Sequence, residues 1–280
     1  MTLFDKFLRI RELGIFSIIV VFVIVAAIID PRFMTMDSWR AVFLAIPLIL
    51  VMAMGQMMVI ICRHVDISIG SILAFSAIVI GLLYIQFPGL SLWLSLLITA
   101  FVGLVMGLIN GFIVTRFNVH SIIVTLGTLS LYRGLVFIVS GGRQIDRNDI
   151  PEHVVSFSQT SFLFSIPGIL IFSAIIVVIT HLVMRHSVLG REIYATGSNP
   201  VAAHLKGINV TKVTLFCFGI CGMLAGVAGL FYASRFGYVN PGVTGVGIEF
   251  IVIAGVIIGG TSITGGSGSV LGTFLGILLL

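Results

Sequence analysis

Long apolar runs separated by short polar intervals extend along the whole of this 280-residue chain. A single helix needs roughly 20 apolar residues to cross a bilayer core, so each long run predicts a membrane span. The eight long runs are residues 13–29, 41–62, 69–87, 90–115, 121–140, 166–184, 213–234 and 248–260. A ninth run begins near Ser269 and stops at Leu280, which predicts a helix that is cut off partway. The pattern predicts an all-α, polytopic transmembrane helical bundle of about nine to ten spans, the last apparently truncated.

Two segments interrupt this pattern with residues that do not favour a continuous helix. The segment 259–268 has too many glycines to stay helical, and RHVDIS (63–68) makes a comparable break between the second and third runs. The predicted helices after these two breaks begin with similar sequences, Gly-Ser-Ile-Leu at 70–73 and Gly-Ser-Val-Leu at 268–271. We therefore expect some broken or re-entrant spans and a weak internal duplication, which is the usual construction of transporters.

Composition agrees with a membrane protein, because 59% of the residues are hydrophobic and only 9% are charged. Basic residues are retained at the cytoplasmic ends of spans, and an inside N-terminus puts nine of the 15 lysines and arginines inside. These nine are Lys6, Arg9, Arg11, Arg63, Arg116, Arg185, Arg191, Lys206 and Lys212. Five fall outside, namely Arg32, Arg40, Arg143, Arg147 and Arg235. The net charge of +5 therefore reflects topology and implies no nucleic-acid partner.

Several kinds of chemistry are missing from the sequence. Neither Lys6, Lys206 nor Lys212 stands in a GxxxxGK[ST] pattern, so the chain cannot bind ATP through a P-loop. No HExxH or GxSxG motif occurs, and the cysteines lie in apolar runs without further ligands nearby. We expect no enzyme activity, metal site or cofactor in this chain. Any energy source is either a separate chain or an ion gradient.

The loop 185–212 is the one long polar interruption in the second half of the chain. Ser198 and Asn199 are good N-cap residues, Pro200 suits a first helical turn and Gly207 suits a helix end. These signals predict a two-turn helix from Pro200 to Lys206. Its small side chains suit docking into a groove of another protein, although a helix lying at the lipid interface is the alternative.

Ionisable residues at membrane depth are costly, so each one needs a reason. Asp66 can cap the helix that begins near Ile69 or can line a pathway. Glu249 opens the eighth run and can line an outer mouth, while Arg133 must face protein or water. Candidate hydrogen-bonding groups for a solute, or else for helix–helix contacts, are Asn110, Thr125, Thr128 and Tyr132.

Four ordered blocks carry a resemblance to a known family. YATGSNP (194–200), followed by Ala202-Ala203 and Gly207-Ile208, resembles the cytoplasmic coupling loop of permease subunits of sugar-type ABC importers, the ribose-permease family. RHVDISIG (63–70), the block 112–135 and the glycine-rich block 257–276 resemble other signatures of that family. Two residues depart from the pattern of the family, because His64 replaces a usual Gly or Asn and His120 stands where Pro is common. These departures concern the identity of the substrate and not the membership of the family.

The resemblance implies a single permease domain over 1–280, with 185–212 as its coupling loop. The residues expected to couple to an ATPase are Gly197, Ser198, Asn199, Pro200, Ala202, Ala203, His204, Lys206 and Gly207. Those expected to line the translocation pathway are Asp66, Ser68, Asn110, Thr125, Thr128, Tyr132 and Glu249.

The resemblance also implies the partners of the chain. They are a cytoplasmic ATP-binding subunit that binds ATP and Mg, a periplasmic or lipid-anchored binding protein that docks on outer loops 141–152 and 235–247, and a second permease subunit, identical or related. The location is the inner membrane of a bacterium. The substrates of such permeases include ribose, xylose, rhamnose and sugar-like quorum signals, and the segment 140–152 and the histidines favour the last two. An ion-gradient-driven secondary transporter or channel is the alternative, but no ladder of membrane carboxylates supports it.

Overall fold

The structure, a computed structural model, describes residues 11–159, 161–163 and 166–280. Lys6 and Arg9, two of the basic residues expected on the inside, lie outside these residues. Most of the described chain is helical and very little of it is strand, which confirms the predicted all-α bundle. The α-helices are α1 Arg11–Ile29, α2 Met36–Ile61, α3 Ile69–Gln86, α4 Leu92–Phe117, α5 Ser121–Ser140, α6 Glu152–Gln159, α7 Gly168–His186, α8 Val188–Ser198, α9 Pro200–Leu205, α10 Val210–Phe236, α11 Ile248–Ile258 and α12 Val270–Leu279.

All nine predicted apolar runs form helices, but their lengths differ. Seven helices of the described chain are long and apolar enough to cross a membrane, and two others, α11 and α12, have 11 and 10 residues. At 1.5 Å per residue α11 covers about 16 Å, roughly half of a bilayer core. The eighth run therefore does not form a full span. Gly247, with a positive φ of 79°, precedes α11, and Gly259 ends it.

Among the described helices, α4 and α10 pack against each other most extensively, and glycines allow their approach. A Cβ atom on Gly103 would collide with the carbonyl oxygen of Gly222, and one on Gly107 would collide with that of Phe218. Small residues let helix backbones approach closely in lipid, where packing rather than hydrophobicity drives helix association. The glycines of both helices therefore form the surfaces through which α4 and α10 pack.

Helix α10 also packs against α2 and α3 and forms the centre of the bundle. Its Gly229 lies against the carbonyl oxygen of Leu73 on α3, while Gly55 of α2 lies against the backbone of Cys221. The residues of α2 from Leu50 to Ile61 are all buried. Helix α10 thus packs against both helices that flank the break at residues 63–68.

The two loops predicted to share the outer face contact each other. Ile145 and Val239 form an isolated antiparallel bridge, and the side-chain amide of Asn240 donates to Oε1 of Gln144 over 2.8 Å. Between these loops the chain adds α6 and a small hairpin of β1 Ser161–Leu163 and β2 Ile166–Pro167, which the sequence analysis did not predict. The sixth span therefore begins at Gly168 rather than at residue 166.

Candidate functional site

The connection between α2 and α3, residues 62–68, leaves helical geometry and carries a buried polar network. The carboxylate of Asp66 accepts hydrogen bonds from the backbone N–H and hydroxyl of Ser68 over 2.9 and 2.7 Å. The amide nitrogen of Asn110 on α4 donates to Asp66 and to Ser68 over 3.2 and 2.8 Å. The hydroxyl of Tyr132 on α5 lies 3.2 Å from Oδ1 of Asn110. Four of the seven predicted pathway residues therefore form one network.

Two effects act on the ionisation of Asp66. Burial raises the pKa of its carboxyl above the usual aspartate range, and the hydrogen bonds from Ser68 and Asn110 oppose that rise. Gln56 of α2 holds the backbone of Asp66. Its side-chain amide donates to the Asp66 carbonyl over 3.3 Å and accepts from the Asp66 N–H over 3.1 Å, in the amide orientation that satisfies both of these backbone groups. A non-helical backbone in a membrane protein needs such partners.

The expectation that Asp66 caps α3 needs a correction. Its carboxylate binds the N–H of Ser68, which is the residue before the helix, and the Ser68 side chain makes no capping bond. Asp66 therefore stabilises the turn that leads into α3 and does not bond to the first helical turn. Its other contact, with Asn110, ties this turn to α4.

Thr125 and Thr128 on α5 use their hydroxyls on protein backbone. The hydroxyl of Thr125 lies 2.9 Å from the carbonyl oxygen of Ser121 and 3.3 Å from that of Val65, so it joins α5 to the connection. The hydroxyl of Thr128 lies 3.4 Å from the carbonyl of Thr125 in its own helix. The contact of Thr125 with Val65 corresponds to the packing alternative that the sequence left open, whereas the hydrogen bond of Thr128 stays within its own helix.

Glu249 lies apart from this network, in the first turn of α11. Its side chain is buried and its Oε2 atom has no hydrogen-bond partner in the described residues. This oxygen occupies the space that a side chain at Gly70 would fill. Arg133 of α5 donates to the Thr244 carbonyl over 2.6 Å rather than to a carboxylate. Arg133 thus ties the segment that leads into α11 to α5, whereas Glu249 packs against Gly70 at the start of α3.

The seven predicted pathway residues are all packed inside the bundle. Each is buried, with an exposed fraction of 6% or less. A groove of about 1000 Å³ opens elsewhere, between α2 and α7, and its lining is apolar apart from Arg40.

The predicted short helix in the polar loop is present as α9. Asn199 is its N-cap, and its side-chain oxygen accepts a hydrogen bond from the backbone N–H of Ala202 over 3.0 Å. Pro200 occupies the first turn, and Gly207 follows the helix with a φ of 84°. The cap signals thus predicted both ends of the helix to within one residue.

The two faces of α9 differ in exposure. Ala203 is buried against the bundle at 4% exposure, whereas Val201 and Leu205 are 71% and 82% exposed. The coupling residues at 198, 199, 202, 204, 206 and 207 are exposed as well, and Gly197 is buried. Ala203 and Gly197 therefore pack α9 and its junction with α8 against the rest of the chain. The exposed apolar side chain of Leu205 was missed by the sequence analysis.

Arg63 is the second residue that sequence reasoning missed. It contributed only a positive charge to the topology argument, but its guanidinium donates to the carbonyl oxygens of Gly197 and Ser198 at the end of α8. The glycine-rich segment after α11 completes this junction, because the N–H of Gly266 donates to the Ile61 carbonyl over 2.9 Å. The start of the α2–α3 connection, the end of α8 and the glycine-rich segment after α11 therefore meet next to the start of α9.

The three cysteines are buried in the bundle, as their apolar surroundings predict. The sulfur atoms of Cys62 and Cys217 lie 3.5 Å apart, and Cys221 faces Gln56. Within residues 11–159, 161–163 and 166–280, no three His, Cys, Asp or Glu side chains lie together as metal ligands would.

Comparison with known proteins gives one family and a set of relatives. Residues 40–280 match the family model described as "Branched-chain amino acid transport system / permease component". The chain is 35% identical over 253 residues to the Autoinducer 2 import system permease protein LsrC of Yersinia enterocolitica, which covers 90% of this chain and 69% of that protein. It is 34% identical to the LsrC proteins of Yersinia pseudotuberculosis and Yersinia pestis, over 90% of this chain and 70% of each relative. No solved structure matches it.

Proposed function

The chain belongs to the family of permease subunits of sugar-type ABC importers, and from that premise we propose that it carries a sugar-like solute across the membrane by alternating access. A separate ATP-binding subunit, which binds ATP and Mg, drives the switch. Two permease subunits, identical or related, enclose the pathway, and a periplasmic or lipid-anchored binding protein delivers the solute. The location is the bacterial inner membrane.

The observation that supports this proposal most strongly is the geometry of α9. Within the loop that the distribution of basic residues is expected to place inside, a capped helix of six residues presents Val201 and Leu205 to solvent. Exposed apolar side chains on a rigid element are typical anchors for a partner protein. An ATPase whose cleft receives these two side chains would pull α9 as its subunits close on ATP.

The buried network has a role in the same cycle. Asp66, Ser68, Asn110 and Tyr132 hold the α2–α3 connection in one arrangement, in which all four side chains are buried. Transport requires a second arrangement, because a solute crosses only if access alternates between the two sides. We assign the network to the resting state, which a movement of the connection opens.

The relatives suggest the substrate class. The proteins to which the chain is 34–35% identical are named as permeases for autoinducer 2 import. We take autoinducer 2 as the first candidate solute for this chain, and L-rhamnose and D-ribose as the next two. The seven polar residues include hydroxyl, amide and carboxylate groups, which are the groups that bind sugar hydroxyls.

The test measures ATP hydrolysis and solute uptake by the permease reconstituted with its ATPase and binding protein. We expect Val201→Glu and Leu205→Glu each to lower stimulated hydrolysis and uptake at least tenfold while the permease inserts normally. The matched control is Val188→Glu, since Val188 is also apolar and 62% exposed in the same loop but lies at the start of α8. Equal losses in all three variants, or unchanged hydrolysis in the α9 variants, would overturn the coupling assignment.

Hydrolysis is measured with autoinducer 2, L-rhamnose and D-ribose in turn, each with the same binding protein. Stimulation and uptake with one of them identifies it as the substrate. The absence of stimulation by all three, with an active ATPase, would contradict the proposed substrate class.

A further inference from the structure

Arg63 has an unusual backbone for its residue type. Its φ of 67° places it in the left-handed region, where only Arg63 and Asn118 among the non-glycine residues of the described chain have positive φ values. Side chains with a Cβ atom disfavour this region, so a residue keeps it only where the surrounding contacts fix it. The contacts that fix Arg63 come from another part of the sequence.

The side chain of Arg63 binds the end of α8. Its Nε atom donates to the Gly197 carbonyl over 2.5 Å, and its Nη2 atom donates to the Ser198 carbonyl over 2.6 Å. The last four carbonyls of a helix have no partner within the helix, and a cation at this end also interacts favourably with the helix dipole. The forked guanidinium therefore satisfies two of these carbonyls at once. The next residue, Asn199, caps α9.

The backbone of Arg63 belongs to the connection that carries the buried network. Asp66 lies three residues further on and binds Ser68 and Asn110. The residues between are also anchored, because the N–H of His64 donates to the Val59 carbonyl and the N–H of Val65 to the hydroxyl of Ser121. The connection is thus a short, well-held segment with Arg63 at one end and Asp66 near the other.

Other contacts between this connection and α8 are weaker or non-polar. The thiol of Cys62 lies 3.9 Å from the Ile193 carbonyl, which is near the limit for a hydrogen bond to sulfur. Gly197 approaches the Ile61 carbonyl so closely that a Cβ atom would collide with it. Arg63 therefore supplies the two short hydrogen bonds that join the base of α9 to the connection.

From this arrangement we infer that Arg63 is a positioning residue that transmits displacement of α9 to the α2–α3 connection and so to the Asp66 network. A pull on α9 moves the last carbonyls of α8, and the guanidinium carries this movement to the backbone three residues before Asp66. The inference rests on the proposed function, because it requires α9 to be moved by an ATPase. It adds the residue through which that movement reaches the polar network.

The experiment uses a substitution that removes the side chain but keeps the backbone. Arg63→Gly loses both hydrogen bonds, while glycine adopts a φ of 67° without strain. The matched control is Asn118→Gly, because Asn118 has a φ of 52°, caps the C-terminus of α4 and is exposed. Each variant is reconstituted with its ATPase and binding protein, and autoinducer 2 is the probe.

We expect Arg63→Gly to keep basal ATP hydrolysis and to lose at least 90% of the uptake per ATP hydrolysed, whereas Asn118→Gly behaves as wild type. Uptake per ATP is the decisive ratio, because a lower amount of folded permease reduces uptake and stimulated hydrolysis together. Arg63→Lys keeps the positive charge but not the forked guanidinium, and we expect its uptake per ATP to lie between those of Arg63→Gly and wild type. If Arg63→Gly fails to reach the membrane, Arg63→Lys decides the question.

A wild-type ratio in Arg63→Gly, or in Arg63→Lys where glycine is not tolerated, would overturn the inference. If the α9 variants of the coupling test lose stimulation at the same time, the proposed function stands and only the role of Arg63 fails. If the α9 variants are also unaffected, the proposed coupling itself fails. An equal loss in Asn118→Gly would likewise contradict a specific role for Arg63.

Discussion

The side-chain amide of Asn110 donates a hydrogen bond to the carboxylate of Asp66 across 3.2 Å, and both residues are fully buried. The two residues come from α4 and from the α2–α3 connection, so this bond ties a full-length span to a break in the helical pattern. A buried carboxylate without such partners is costly, because the protein interior solvates charge poorly. The pair therefore explains how the break is tolerated inside the bundle.

Asn110→Ala should destabilise the permease through the carboxylate that it leaves with fewer partners. We expect a loss of about 1–3 kcal/mol in the free energy of unfolding. In the Asp66→Asn background the same substitution should cost less, because a neutral amide needs the partner less than a carboxylate does. Thermal unfolding of the four proteins in detergent gives the coupling energy of the pair. Strictly additive losses would show that the two side chains do not interact.

Gly222→Ala tests the contact between α10 and α4. A Cβ atom at this position would collide with the carbonyl oxygen of Gly103, so the helices must separate. We expect a loss of about 1–3 kcal/mol, the usual cost of overpacking. Gly134→Ala on α5 is the matched control, because nothing lies within 4 Å of its added Cβ atom and alanine favours a helix. Similar unfolding temperatures for the two variants would argue against the close crossing.

The spans and the ends of α9 could be predicted because the signals are local. Apolar length predicted the long helices, and the types of residue at Asn199, Pro200 and Gly207 predicted the short one. The packing of the segment before α11 could not be predicted in the same way. The backbone of Gly245 lies against that of Gly70 in a distant part of the chain. Glycines alone do not indicate which partner they approach.

The site was predicted in its residue types but not in its arrangement. Asp66 and Asn110 stood out as polar residues within or between apolar runs, yet the sequence could not decide between a pathway and a packing role. Arg63 was missed because its partner, Gly197, lies 134 residues away. A basic residue at the inner end of a span also has a sufficient explanation in topology, so nothing local indicated a second role.

The stability of the permease should depend on pH through His64. Burial, assisted by the nearby His120, lowers the pKa of His64 from 6.5 to about 4. Between these values the unfolded chain binds a proton that the folded chain does not, so the free energy of unfolding falls as pH falls, by about 1.4 kcal/mol per pH unit. The contribution of neutral His64 to the free energy of unfolding is complete above pH 6.5 and is lost as pH falls through about 4.

His64→Gln should remove this dependence, because glutamine does not titrate. The measurement is the unfolding temperature in detergent at pH 7 and at pH 4.5, for wild type and variant. His186→Gln is the control, since His186 is exposed in the last turn of α7. We expect the difference between the two pH values to shrink only in His64→Gln. A difference equal to that of wild type would show that other groups cause the acid sensitivity.

The capping role of Asn199 leads to a prediction that separates helix formation from direct contact with a partner. Its side chain accepts the hydrogen bond from the N–H of Ala202, and removal of an N-cap costs about 1 kcal/mol of helix stability. Since α9 has only six residues, this loss should leave the helix partly unformed without unfolding the bundle. Asn199→Ala should therefore lower stimulated ATP hydrolysis several-fold while the unfolding temperature stays within about 2 °C of wild type.

Asn199→Asp and Asn199→Ser keep a capping oxygen, so hydrolysis should remain near the wild-type rate in both. If all three variants lose stimulation equally, the amide of Asn199 must contact the ATPase itself, and the capping explanation is wrong.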